Sequence, residues 1–360
     1  MLQRDHNAVS IVPELAASGD TSPSNQEYQL VPLQVSPEEW DACIQPYETA
    51  LVYHGSAWLD YLEKSHNGRR VLLVCYQGAT IIGYFCGMVI RKGPFRILGA
   101  PLKGWWTANM GPVASREEFD TAAFIGAFDS YCRKQKIDFV ELCCDWLDPL
   151  GVANAGFTAF ADVTHKMSLG DKQAAWSRMY KTTRHYVRSA ERNGVRVETA
   201  TDETVIREFY KQLKAVLAKQ RLTPDHRLEW LLNMWHCVQP KGELIGLRAL
   251  YQDQCIATYI LARDERVMWG LATASLPDTL DLRPNELIHW RAIEMACDLG
   301  LKAYDFCGGG SYKKKYGAEE VPRIHWRKAY SPAAVLAYRS YLAWWFGMRS
   351  LKRRLASWKK

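Results

Sequence analysis

Tyr76-Gln77-Gly78-Ala79-Thr80-Ile81-Ile82-Gly83-Tyr84 returns in the chain as Tyr251-Gln252-Asp253-Gln254-Cys255-Ile256-Ala257-Thr258-Tyr259, with four identities in nine. Each copy joins two apolar, β-branched runs through a short turn, residues 70–74 to 81–90 in the first and 244–250 to 255–261 in the second. That pattern is a hairpin signal. The surroundings repeat as well. After the first hairpin come a long loop, helical spacing over 116–134 and a buried strand over 138–143; after the second come a strand at 267–272, a helix over 284–299 and a strand at 303–306. Repetition of both sequence and element order predicts a duplicated α+β unit, with halves of about 28–165 and 166–330, each a mixed sheet with helices packed on it.

Outward from the repeats, residues 1–27 are rich in Ser, Asn, Asp and Pro without periodicity and read as a disordered leader. Ser36-Pro37-Glu38-Glu39-Trp40 is a helix start, with a capping Ser, Pro at the first position and acids in the first turn. A second short helix is expected from Gly55. The second half opens with a helix over 173–193, stopped by Gly194, and another over 201–220.

The 360 residues are 48% hydrophobic with 14 Trp and 18 Tyr, enough for a sizeable core, and collagen-like, coiled-coil and wholly disordered classes are excluded. The net charge of +7 is equalled by seven Lys and Arg in 331–360, a stretch without acids, so the basicity is a property of the tail. Val335, Leu336, Tyr338, Leu342, Trp344, Trp345, Phe346 and Leu351 mix with those cations. The tail therefore reads as a basic amphipathic helix suited to an anionic membrane surface, or as a helix packed back on the domain. Ten cysteines without a C-x-x-C pair disfavour a zinc site and a disulfide framework. With no signal-peptide or membrane-spanning run, a cytoplasmic protein is expected, peripheral at the inner membrane face if the tail binds there.

The strongest chemical signal is Tyr304-Asp305-Phe306-Cys307-Gly308-Gly309-Gly310-Ser311-Tyr312-Lys313-Lys314-Lys315-Tyr316-Gly317. A buried strand runs into three glycines, which let backbone N–H groups approach a carbonyl or anion, and then into a basic aromatic segment; a flexible turn with solvated lysines is the plainer alternative. Asp305 is a candidate base or a cap for the glycine turn. Lys181, Arg184, Arg188 and Arg192 recur at three and four, forming one ridge that suits a phosphate-bearing substrate or a solvated face. His289, on an apolar helix, is a packing residue or a substrate contact. Tyr312 and Tyr316, and likewise Trp105-Trp106, wall a cleft or anchor their own loops. No G-x-S-x-G, H-E-x-x-H, G-x-x-x-x-G-K-[ST] or G-x-G-x-x-G occurs, which sets aside serine hydrolases, zincins, P-loop NTPases and dinucleotide-binding enzymes.

Residues 170–330 resemble the Fem family of peptidoglycan-bridge aminoacyltransferases and their relatives, the acetyltransferase-like proteins of exopolysaccharide biosynthesis. The resemblance is carried by Trp176-x-x-Met179-x-Lys181-x-x-Arg184-x-x-Val187-Arg188-x-Ala190-x-x-x-Gly194-Val195, by Asn285-Glu286-Leu287-Ile288-His289-Trp290-x-Ala292-Ile293, and by Tyr304-Asp305-Phe306 with Tyr312-Lys313-x-x-Tyr316-Gly317. The first half is similar only through His54-x-Ser56-x-Trp58 and Gly111-Pro112. The resemblance implies two GNAT-like domains in tandem, in agreement with the duplication. It implies transfer of an aminoacyl or acyl group from aminoacyl-tRNA or acyl-CoA, with no tightly bound cofactor, to an amine or hydroxyl of an envelope precursor, polysaccharide or small molecule. Lys313 takes the place of the family's essential lysine, Arg184 and Arg188 match positions that meet substrate phosphates, and Trp58 and Lys64 carry over into the acceptor cleft. The acyl-CoA loop [RQ]-x-x-G-x-[GA] is absent, Arg96-Ile97-Leu98-Gly99-Ala100-Pro101 missing its last position. tRNA as a partner then rests on the basic ridge and tail. The expected function is an acyltransferase; the competing class is a non-catalytic module that binds an anionic glycan or lipid at the membrane.

Overall fold

The computed structural model describes residues 27–219, 221–337, 339 and 340. Most of the proposed leader and most of the basic tail lie outside the described residues. The first half contains β1 (Tyr28–Pro32), α1 (Pro37–Ile44), α2 (Ser56–His66), β2 (Arg69–Gln77), β3 (Thr80–Lys92), β4 (Phe95–Ala100), β5 (Pro112–Ala114), α3 (Thr121–Lys134), β6 (Phe139–Leu142), α4 (Pro149–Asn154) and β7 (Thr158–Ser168). The second contains α5 (Lys172–Arg178), α6 (Lys181–Arg192), β8 (Arg196–Thr199), α7 (Thr204–Lys219), α8 (Leu228–Val238), β9 (Leu244–Tyr251), β10 (Gln254–Arg263), β11 (Val267–Ser275), α9 (Pro284–Asp298), β12 (Ala303–Asp305) and β13 (Glu319–Ala329). Apart from β5 and α4, which only the first half has, the order of strand, two helices, three strands, helix, strand and a last strand occurs twice, as the duplicated hairpins predict.

Local chemistry sets several of these boundaries. Ser36 caps α1 reciprocally, its Oγ accepting from the Glu39 amide at 3.2 Å while its own amide donates to Glu39 Oε2 at 2.7 Å. The helix expected from residue 116 begins at Thr121 instead, because Asp120 accepts from the amides of Ala122 and Ala123 and takes the cap. The single helix expected over 173–193 is two, α5 and α6. Met179 leaves the helical region, at ψ 147°, and the Tyr180 amide donates to Lys315 O at 2.9 Å, so a long-range bond outcompetes the helical one.

All the described strands form one sheet in the order β1-β2-β3-β4-β6-β13-β7-β12-β11-β10-β9-β8, with β5 branching from β3. The order is a palindrome about the β13–β7 pair, and the last strand of each half has changed places. β13 pairs with β6 of the first half, and β7 pairs with β12 of the second. Helices cover both faces. In the first half Tyr84 meets Trp40 of α1 while its strand neighbour Phe85 meets Phe124 and Phe128 of α3. In the second, Ile260, Ala262 and Trp269 join one core cluster with residues of α7 and α8, and Tyr259, Leu261 and Met268 join another with residues of α9. α2 packs along α8, tying the halves together. Among the described residues no helix is long and apolar enough to cross a membrane.

The exchanged strands are fastened by buried ions. Arg323 of β13 donates from Nη2 to Asp305 Oδ2 of β12 at 2.8 Å, the two side chains being 8% and 1% exposed. On the other side of the ribbon Arg327 Nε reaches the buried Glu141 of β6 at 3.1 Å. Removing one member of such a pair strands the other charge in low dielectric. Arg323→Met is therefore expected to lower stability in urea unfolding by ~3–5 kcal/mol, and Arg323→Met/Asp305→Asn, which removes both charges but keeps an acceptor for Thr164 and the Cys307 amide, to recover most of that loss.

Candidate active site

The sheet opens at one place in the second half. β11 and β12 run parallel and pair only through 267–269 with 303–305, after which β11 continues to Ser275 and the other chain turns away at Cys307. A bulge sits where they part: Leu261 faces Gly270 and Ile260 faces Ala272, leaving Leu271 as the extra residue. Gly270 is required there, since a Cβ on it would lie 1.9 Å from the Tyr259 hydroxyl. That hydroxyl accepts from Tyr304 OH at 2.9 Å, so two buried tyrosines line the parting strands.

The turn after β12 is built from left-handed residues. Cys307 has φ 49°, Gly308 75° and Gly310 130°. Asp305 holds its start: Oδ1 accepts from the Cys307 amide at 2.8 Å and from Thr164 Oγ1, while Oδ2 is occupied by Arg323. With both oxygens engaged, the carboxylate acts as a cap for the turn. Burial works against the Arg323 charge, but Asp305 and Asp145 outweigh it and raise its pKa.

Lys313 lies on the 3-10 helix Ser311–Tyr316 that follows, only 5% exposed. Its Nζ donates to Cys307 O at 2.6 Å and to Gly308 O at 2.8 Å. Burial pulls its pKa down to about 8, against the opposing pull of Cys307 and Asp305. The geometry has a corollary. In a trans peptide C=O and N–H point in opposite directions, so a lysine that gathers those two carbonyls turns the Gly308 and Gly309 N–H groups away from itself. Among the described residues neither amide has a protein acceptor. Two adjacent, outward-facing amides are a ready donor pair for an oxyanion.

The remaining candidates fall into three places. His289 (2% exposed) and Tyr316 (0%) are core: the imidazole sits 4.5 Å edge-on to Tyr259 and 5.1 Å from Tyr316, and burial, with Lys315 and Lys313 adding, drives its pKa down to about 3, so it stays neutral. Tyr312, 43% exposed, stands at the rim. The ridge on α6 starts beside the turn through the Tyr180–Lys315 backbone bond. Lys181 is exposed there; Arg184 donates to Ser177 O at 3.0 Å, closing the end of α5; Arg188 lies over the Trp176 ring at 5.4 Å. Trp58 and Lys64 are not brought to Lys313. Trp58 is fully buried, its Nε1 donating to Thr107 Oγ1 at 2.9 Å, and Lys64 meets Cys237 Sγ at 3.4 Å where α2 crosses α8. What the first half does send to the opening is Tyr53, packed on Trp58 at 4.7 Å and on Trp269 at 5.0 Å, with its hydroxyl facing Cys307. Tyr53, Thr164 and Arg323 carry no motif, and only strand exchange and loop packing bring them here. Residues 96–101 lie in β4 and the turn after it, an extended segment rather than a strand-to-helix phosphate loop. Among the described residues no three His, Cys, Asp or Glu side chains gather as a metal site.

Residues 177–316, which hold the opening, the turn and the α6 ridge, match the family model described as Acetyltransferase (GNAT) domain. No curated protein sequence matches the chain significantly. Among solved structures the chain is similar to FemX, at 12% identity and TM-score 0.65 over 81% of this chain and 96% of that one. A tandem GNAT protein from the clavulanic acid biosynthesis pathway matches at 10% identity and TM-score 0.52, over 85% and 99%. L-PGS from Bacillus licheniformis matches at 12% and 0.52, over 84% and 96%. At these identities the likeness is one of fold, and the fold is α+β with GNAT-like domains in tandem. Gly270→Ala is expected to displace Tyr259 and break its bond to Tyr304, lowering stability by ~1–3 kcal/mol in thermal or urea melts, as overpacking of a close-packed site does.

Proposed function

We propose that the protein is an acyltransferase that moves an aminoacyl or acyl group from an activated ester or thioester to an amine or hydroxyl acceptor. The observation that carries this reading is Lys313, a buried cation on two carbonyls at the parting of β11 and β12 within the segment that matches the GNAT domain. Attack on an activated carbonyl throws negative charge onto its oxygen. A preorganised cation and oriented amides in a dry site stabilise that charge without rearrangement, and a held acceptor needs little more than orientation.

The connection from β11 to α9 favours aminoacyl-tRNA over acyl-CoA as donor. It is a 3-10 helix, Pro277–Leu282, with Asp278 and Asp281 and no glycine, and α9 begins with Pro284, which lacks an N–H. A pyrophosphate finds few free amides there, and the charges are already balanced, Asp278 and Asp281 against Lys219 and Arg283. Lys181, Arg184 and Arg188 beside the turn supply cations for a phosphate backbone instead. The acceptor class we favour is an envelope precursor, in line with the resemblance to Fem-type transferases. On this reading the protein works at the inner face of the membrane, with the basic tail, 331–360, as its surface contact.

Two outcomes test this. Purified protein given labelled aminoacyl-tRNA, and separately labelled acetyl-CoA, is expected to consume the tRNA ester, and Lys313→Ala to reduce that rate by ~10²–10³-fold; equal rates for the two proteins would remove the central role of Lys313. The pH profile supplies the second. A lysine with its pKa lowered to about 8 is charged below that value and neutral above it, so kcat/KM is expected to fall above about pH 8 in the wild type. The residual rate of Lys313→Met should be flat through the same range.

A further inference from the structure

We propose that Cys307 is a nucleophile that carries the acyl group as a thioester between donor and acceptor, an inference that rests on the acyl-transfer reading. Four observations converge on it. Cys307 is a non-glycine residue held at φ 49° immediately beyond a buried strand, a conformation that persists only where its surroundings enforce it, and here Asp305 binds its amide and Lys313 its carbonyl. The two outward-facing amides of Gly308 and Gly309 follow directly in the chain, the arrangement a tetrahedral intermediate on that residue would use. Tyr53, 0% exposed, has a hydroxyl with no hydrogen-bond partner, and that hydroxyl faces the Cys307 thiol. Finally, Cys307 as a residue is half-buried where Cys143 is fully enclosed, although its thiol itself lies inward.

The corresponding residue of the first half shows the contrast. Cys143 also follows a strand that ends acid-apolar, Glu141-Leu142 as against Asp305-Phe306. It is fully buried, its amide donates to Ala100 O at 2.8 Å, its carbonyl accepts from Met110, and its thiol donates to Ala108 O at 3.5 Å. Both cysteines have their backbone groups bonded; the difference lies in the thiol, which at Cys143 donates to a backbone carbonyl and at Cys307 faces the Tyr53 hydroxyl.

The step balances without an added reductant or oxidant. The sulfur attacks the donor carbonyl, a C–S bond forms, the donor's C–O or C–S bond breaks, and the thiol proton leaves with the departing alcohol or thiol. The acceptor amine then attacks the thioester, a C–N bond forms, the C–S bond breaks, and a proton from the amine returns to the sulfur. Burial keeps the resting thiol protonated, with its pKa pushed up to about 12. The proton is therefore lost in concert with attack rather than beforehand. Tyr53 is a positioning residue for the sulfur in this scheme.

p-Nitrophenyl acetate tests Cys307 independently of the natural donor. Full-length protein is expected to release a burst of one equivalent of p-nitrophenolate and to carry a hydroxylamine-labile acetyl group that peptide mapping places on Cys307. Cys307→Gly, which accepts the left-handed backbone without strain, should retain its melting temperature and lose the burst. Tyr53→Phe should slow the burst ~10-fold at an unchanged or higher melting temperature, because it deletes an unpaired buried hydroxyl. Absence of acetyl-Cys307, or Cys307→Gly transferring from aminoacyl-tRNA or acetyl-CoA at the wild-type rate, would overturn the covalent step and leave acyl transfer standing. Acetyl-Cys307 without consumption of either biological donor would uphold the nucleophile and overturn the donor assignment.

Discussion

The bond from Arg323 to Asp305 ties a strand that has crossed into the first half to the strand end that leads into the glycine turn, and much of the opening is arranged around it. Asp305 has only two oxygens, and they serve three elements: Arg323 on β13, Thr164 on β7 and the Cys307 amide that starts the turn. Strand exchange is what makes this feasible, because β7 and β13 come from different halves and would not otherwise be neighbours at β12. A buried ion pair is weak evidence for stability, since burying both charges costs nearly what their attraction returns. Its value here is registry. The pair joins β13 to the end of β12 across β7, beside the turn whose carbonyls hold Lys313.

Duplication gave two strand ends, and only one became an opening. In the first half β4 and β6 stay paired through Ala100 and Leu142, the ladder is extended by the Cys143–Ala100 and Met110–Cys143 backbone bonds, and the intervening loop folds back with Trp105 buried. In the second half pairing stops at Trp269 and Asp305, the bulge at Leu271 bends β11 away, and tyrosines fill the walls. The match to the acetyltransferase domain spans 177–316, the half that opens. The closed half contributes otherwise: it sends Tyr53 across to Trp269 and packs α2 on α8.

Much of this was legible in the chain. The hairpin repeat predicted the double unit because strand periodicity and turn chemistry are local, and the glycine-lysine segment was conspicuous because three successive glycines after an apolar strand have few other uses. Strand exchange was not legible: nothing in residues 158–168 or 319–329 says which neighbour they take, since either partner buries the same face. The break at Met179 and Tyr180 is of the same kind, set by a carbonyl 135 residues away in sequence, at Lys315. Trp58 and Lys64 were drawn toward the cleft by resemblance, whereas packing sends Trp58 into the core and leaves its neighbour Tyr53, which no motif marks, at the opening. A pattern identifies residues that act through their own side chains more readily than those that act by being pressed against them.

The charges at the turn add one more constraint. Lys166 pairs with Asp145 at 2.8 Å and Arg323 with Asp305 at 2.8 Å, while Lys314 and Lys315 reach Glu320 and Glu286 at 3.1 and 2.7 Å. Lys313 is the lysine of this run whose Nζ is held by carbonyls rather than by a carboxylate. Carbonyl dipoles solvate an ammonium but do not cancel its charge, so its field persists into the opening and is strengthened by the low dielectric. A carboxylate in that position would neutralise the site at rest and leave nothing for a developing oxyanion. Carbonyls take two of the lysine's hydrogen bonds where its neighbours have carboxylates, and on the acyl-transfer reading that leaves its charge available to a developing oxyanion.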